Sequence, residues 1–206
     1  MQGEFDRARE LYRLSRPMLE DYGAVVLAAS TCLTSGRVEL LAGDLDAAES
    51  ELRRDYDKLL SLGELYYRPC VAVWLAQTLY AQDRLDEAEE LARSAAEIAA
   101  EDDIESQAVW RSVEAKILAR RGDTRESVRL AREAAALLGK TDDILARSDA
   151  LVDLAEVLRT VGDEGEALVA LDGALELCRR KQITIQVERI EQMLDPLRPG
   201  SVSQRA

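Results

Sequence analysis

Apolar residues recur along this chain at spacings of three and four, the pattern of helices that bury one face. Short polar turns break the pattern at regular intervals. Five of them look alike: "GEFDRAREL" from Gly3, "GDLDAAESEL" from Gly43, "DRLDEAEEL" from Asp83, "GDTRESVRL" from Gly122 and "GDEGEALVAL" from Gly162. Their starts lie 40, 40, 39 and 40 residues apart. A fixed period of this size marks an array of repeated helical units.

The register extends to single positions. Five residues after each turn start sit Ala8, Ala48, Ala88, Ser127 and Ala167, all small. Twelve after it come Ser15, Asp55, Ala95, Ala134 and Ala174, with Asp55 the exception. Seven before the last four turns are Gly36, Ala76, Ala115 and Ala155. Four before them are Glu39, Leu79, Leu118 and Leu158, with Glu39 the exception. Two helices joined by a short turn approach closely only where the crossing residues are small. Each period therefore predicts one helical hairpin.

First helices are predicted near 24–41, 66–81, 104–120 and 144–160. Second helices are predicted near 4–20, 45–61, 85–99, 124–138 and 164–180. A last helix starts near Thr184. The turn glycines suit a left-handed helix end, a backbone that Asp83 tolerates less well. Asp44, Asp123 and Asp163 are placed to cap the helices that follow, as are Asp103 and Thr141 to Asp143. Pro17 should kink or break the first predicted helix. The expected organisation is a single solenoid over 1–198: a half-repeat 1–22, repeats 23–62, 63–101, 102–140 and 141–181, and a terminal helix 182–196. The tail 199–206 is expected to be disordered.

Composition agrees with an all-α chain. Of 206 residues, 47 % are apolar and only 4 % aromatic. The strand-favouring residues are scarce. With 27 basic and 40 acidic residues the net charge is −13, which argues against a nucleic-acid partner. Cys32, Cys70 and Cys178 are widely spaced and read as free thiols in a reducing compartment. The longest uncharged apolar stretches, near 24–36 and 69–82, fall short of the roughly 20 residues of a membrane span. No leader is visible in the charged first residues. A cytoplasmic location without a membrane partner is expected.

The pairs Gly36/Ala48, Ala76/Ala88, Ala115/Ser127 and Ala155/Ala167, with the Gly-Asp turns, resemble the tetratricopeptide repeat (TPR) family. The period near 40 is longer than the family's usual 34. Segments such as "SGRVELLAGDLDAAE", "YAQDRLDEAEELA" and "DALVDLAEVLRTVGD" are similar to TPR arrays of bacterial signalling proteins. These are the C-terminal arrays of adenylate/guanylate cyclase–AAA ATPase proteins and of MalT-like regulators. The resemblance implies an all-α, right-handed superhelix of nine to ten helices. It also implies a chain that is the C-terminal part of a longer array, because the first turn and second helix have no first helix before them.

Catalytic chemistry is not expected. There is no His, which removes the commonest general base and metal ligand. Acid pairs such as Asp102/Asp103 and Asp142/Asp143 read as helix-start residues rather than a cation site. Gly139-Lys140-Thr141 ends like a phosphate-binding loop, but Ala134 stands where that motif needs Gly. No enzyme activity, cofactor or metal is expected.

In TPR proteins the first helices line a concave face. The resemblance places Arg37, Trp74, Gln77, Tyr80, Lys116, Arg120, Asp153 and Glu156 on it. Aromatic and basic groups there suit a peptide or protein segment, since Trp, Tyr and Arg are common interface anchors. Trp74 and Tyr80 could instead pack between repeats, and Asp153 or Glu156 could pair with Lys116. Two functions are open: an interaction module or scaffold, which could dock on other domains of a parent chain, and a small-molecule sensor of the MalT-like kind. An uncapped end, with Val25, Val26 and Leu27 near it, would also allow a homodimer.

Overall fold

The computed structural model describes residues 4–197. Gly3 and the tail 199–206 lie outside the described residues. The described chain is helical throughout: α1 (Phe5–Asp21), α2 (Val25–Ser30), α3 (Cys32–Ala42), α4 (Leu45–Ser61), α5 (Tyr67–Ala81), α6 (Leu85–Ile98), α7 (Ile104–Arg120), α8 (Thr124–Leu138), α9 (Ile144–Thr160), α10 (Glu164–Arg180) and α11 (Thr184–Leu194). A 3-10 turn (Asp195–Leu197) follows. Helices α2 and α3 are one predicted helix, interrupted at Thr31, which keeps helical dihedrals. Every predicted helix is present, with ends within a few residues of expectation.

The turns work as the register requires. Gly43, Gly122 and Gly162 have φ of +79°, +89° and +88°. Asp83 takes the same left-handed backbone at +64°, at a cost of roughly 1 kcal/mol that glycine avoids. Asp44, Asp123 and Asp163 each accept the N–H of the residue three further on, at 3.0, 3.2 and 3.1 Å. Asp103 and Asp143 cap α7 and α9 in the same way, from Ser106 and Ala146. Each such cap contributes about 1 kcal/mol. Pro17 does not break α1, which runs through it to Asp21. The ring lies on the exposed side of the helix, where the one carbonyl it leaves without a backbone donor is open to solvent rather than packed against a neighbour.

Two compact units divide the chain within α7, one from 3 to 113 and one from 114 onward. In the N-terminal unit the small residues close the hairpins. Ala48, Ala88 and Ala95 are fully buried. A Cβ at Gly36 would lie 2.7 Å from Leu52 Cγ, so the α3–α4 crossing admits nothing larger than glycine without movement. The C-terminal unit has a continuous core of Val152, Ala155 and Leu158 from α9, Leu171, Ala174 and Cys178 from α10, and Ile190 and Leu194 from α11.

Val25–Ala42, taken as one helix, has the length and composition to cross a membrane, contrary to the expectation from shorter uncharged runs. The difference comes from counting through Arg37 and Glu39. In this fold both charges are engaged in ion pairs, and the helix serves as the first helix of a hairpin.

Candidate interaction surface

In the N-terminal unit, three helices bring chemistry together on the first-helix side. Arg37 of α3 lies over the ring of Trp74 of α5, 4.5 Å from its centroid. Trp74 Nε1–H donates to Glu105 Oε1 of α7 at 3.2 Å. Arg37 reaches the same carboxylate oxygen at 3.6 Å. A cation, an aromatic face and an acid thus hold one another. Trp74 is only 7 % exposed, and Tyr80 5 %. The indole is a buried platform, and the solvent meets Arg37, Glu105 and the half-buried Gln77 beside it. Glu105 was not legible as a member of this cluster, because the hydrogen bond joins residues 31 positions apart.

The remaining sequence-predicted residues lie in the C-terminal unit. Lys116 of α7 is buried and donates to Asp153 Oδ1 of α9 at 2.7 Å. One of the two pairings open to Lys116 is therefore made, and the ammonium is held inside rather than offered to a ligand. Arg120 is exposed and Glu156 half-buried. Glu156, Arg159, Thr160, Glu164 and Met193 border an open depression of about 500 Å³. Another, of about 650 Å³, runs along α8 between the stems of Arg125, Arg129 and Arg132.

The strongest polar cluster is one the sequence did not assign. Arg9 of α1 grips Glu39 of α3, with Nε to Oε1 at 2.9 Å and Nη2 to Oε2 at 2.5 Å. Arg16 of α1 grips Asp55 of α4 through two bonds of 2.6 Å. Glu39 and Asp55 are the exceptions noted at the inner helix positions of the repeat register, and each is nearly buried. The break was the available signal: an acid where the other repeats have leucine or alanine needs a cation. Glu51 extends the cluster, accepting from Ser35, Arg16 and Arg54. Burial pushes the Glu51 carboxyl up, but the bonds from Arg54 and Ser35 outweigh it and hold it below its usual range.

The thiols are unpaired, and Cys32 and Cys178 are buried. Burial, and then the charge of Asp55, pushes the Cys32 thiol far up. Burial pushes Cys70 up to about 11. None is a ready thiolate. Among the described residues no cluster of His, Cys, Asp or Glu could hold a metal ion.

Comparison with known proteins agrees with the helical register. The tetratricopeptide repeat family matches residues 29–54 and 71–94, the α3–α4 and α5–α6 hairpins. No curated protein matches the chain in sequence. Among solved structures, a Signal Transduction ATPase with Numerous Domains from Pyrococcus horikoshii, described as having a tetratricopeptide repeat sensor, aligns with a TM-score of 0.61 at 15 % identity. The match covers 90 % of this chain and 28 % of that one, so this chain spans little more than a quarter of the ATPase. BtubC from P. vanneervenii aligns equally well at 17 % identity, over 94 % of this chain and 81 % of its own. A Podosopora anserina protein with nearly identical TPR-like repeats aligns with a TM-score of 0.54 at 18 % identity, over 88 % and 90 %. At these identities the likeness is one of fold. The tetratricopeptide repeat model thus matches two of the hairpins, and the all-helical fold is that of TPR-like solenoid proteins.

Proposed function

We propose that this chain is a non-catalytic interaction module that binds a peptide or protein segment on the first-helix side of its repeats. TPR folds serve protein–protein interaction in general. The observation that supports a site here is the Arg37–Trp74–Glu105 cluster of the N-terminal unit. Its charges are partly solvated while its aromatic ring is fixed, which pre-organises a polar contact on a rigid platform. Gln77 adds an amide next to it. In the C-terminal unit, Arg120, Asp153 and Glu156 are proposed as secondary contacts, with Lys116 positioning Asp153.

The bound segment could equally belong to a larger signalling protein of bacterial, cytoplasmic type, as the resemblance in sequence implies. Titration of peptide libraries against the full chain tests the reading. Arg37→Ala should weaken a genuine partner about tenfold or more, the scale of an interface anchor. Unchanged affinity would remove the site. A saturable thermal shift by a metabolite, with none by any peptide, would turn the reading to effector sensing.

A further inference from the structure

Helix α1 has two faces. Phe5, Ala8, Tyr12, Ser15 and Leu19 turn toward α2 and α3 and are half-buried. Leu11, Leu14 and Met18 turn elsewhere and are 59, 60 and 70 % exposed. At 3.6 residues per turn these three lie within about 60° of one another, one continuous stripe. Three large apolar side chains in a row are more than the scattered exposure of an ordinary surface. Leu14 is also out of register. The residues eleven after the other turn starts are Arg54, Ser94, Glu133 and Gly173, polar or without a side chain.

We propose that this stripe joins two copies of the chain, α1 against α1, antiparallel, with Leu14 on Leu14. The charges around the stripe point to this occupant. Arg7 and Asp21 stand seven residues before and seven after Leu14, each within about 20° of it around the helix, so they continue the line of the stripe at either end. In an antiparallel pair with its two-fold axis at Leu14, seam positions equally far before and after Leu14 meet. Arg7 of one copy then faces Asp21 of the other, twice. A parallel pair would set Arg7 against Arg7 and Asp21 against Asp21. Arg7 is free to turn to this role, because its contact with Glu4 is long, at 3.6 Å, and both side chains are largely exposed. The bidentate pairs from Arg9 and Arg16 fasten α1 from behind and leave the stripe outward.

Sedimentation equilibrium of the full chain tests the proposal. The wild type should show twice the protomer mass in the micromolar range. Leu14→Glu should be monomeric, with its circular dichroism and thermal midpoint retained. Val169→Glu, at another exposed apolar residue on α10, should remain dimeric. Arg7→Glu and Asp21→Arg should each raise the dimer dissociation constant roughly tenfold, and the double variant should recover it. A wild type that stays monomeric up to roughly 100 µM overturns the proposal. So does a dimer indifferent to Leu14→Glu, or a double reversal that fails to recover.

Discussion

Helices α1 and α11 stand at opposite ends of the described chain and are fastened by different means. Helix α11 meets α10 with Ile190 and Leu194 fully buried, and its one buried polar residue, Gln186, donates to Asp149 at 2.6 Å. Helix α1 meets α2 and α3 with no residue fully buried. Its hold comes from Arg9 on Glu39 and Arg16 on Asp55. An apolar seal is non-directional and follows area. A bidentate arginine pair is directional and fixes one seating of the helix. Its failure is also steeper, because a near-buried carboxylate without its cation is costly. The difference teaches that a repeat register can be broken at an inner position if a neighbouring helix brings the matching charge.

The largest expected effect breaks the charged end. Arg16→Ala leaves Asp55, 3 % exposed, with Arg54 alone, and should cost about 3 kcal/mol of unfolding free energy by urea titration. Replacing both Arg16 and Asp55 by apolar residues of similar size should cost far less. The apolar end should respond on a similar scale but without that rescue. Ile190→Ala should cost about 2 to 3 kcal/mol, and no charged partner substitution should restore it. A smaller effect separates two crossings. Gly36→Ala drives a methyl into the fully buried Leu52 and should cost about 1 to 2 kcal/mol. Gly173→Ala meets Leu151 at an ordinary 3.6 Å, and should gain a few tenths to about 1 kcal/mol from helix propensity. The mildest effect is on pH. Glu51 is depressed in the fold, so its contribution is present above the ordinary carboxylate value of 4.5 and is lost as pH falls through the lower folded value. Glu51→Gln should therefore flatten the loss of stability below about pH 4.5, read as thermal midpoint against pH.

Much of the fold was legible because it repeats. The turn starts at Gly43, Asp83, Gly122 and Gly162 set the helix ends, and the small residues around them set the crossings. The site was less so. Trp74 is a core residue by its burial and a surface residue by its neighbours, and only Glu105 and Arg37 around it show which edge is exposed. Arg9 and Glu39 are 30 residues apart, and Arg16 and Asp55 39 apart, so no local pattern joins them. Their acids appeared only as exceptions to the register. Pro17 misled in the other direction: its ring penalty is real, but it falls on the exposed side of a helix that Arg9 and Arg16 fasten just before it.

Native-state hydrogen exchange of Arg16→Ala against the wild type tests the fastening of α1 most directly. The amides of α1 should lose protection while those of α11 keep theirs, because charge holds the one helix and apolar burial the other. Unchanged protection in α1 would contradict the account.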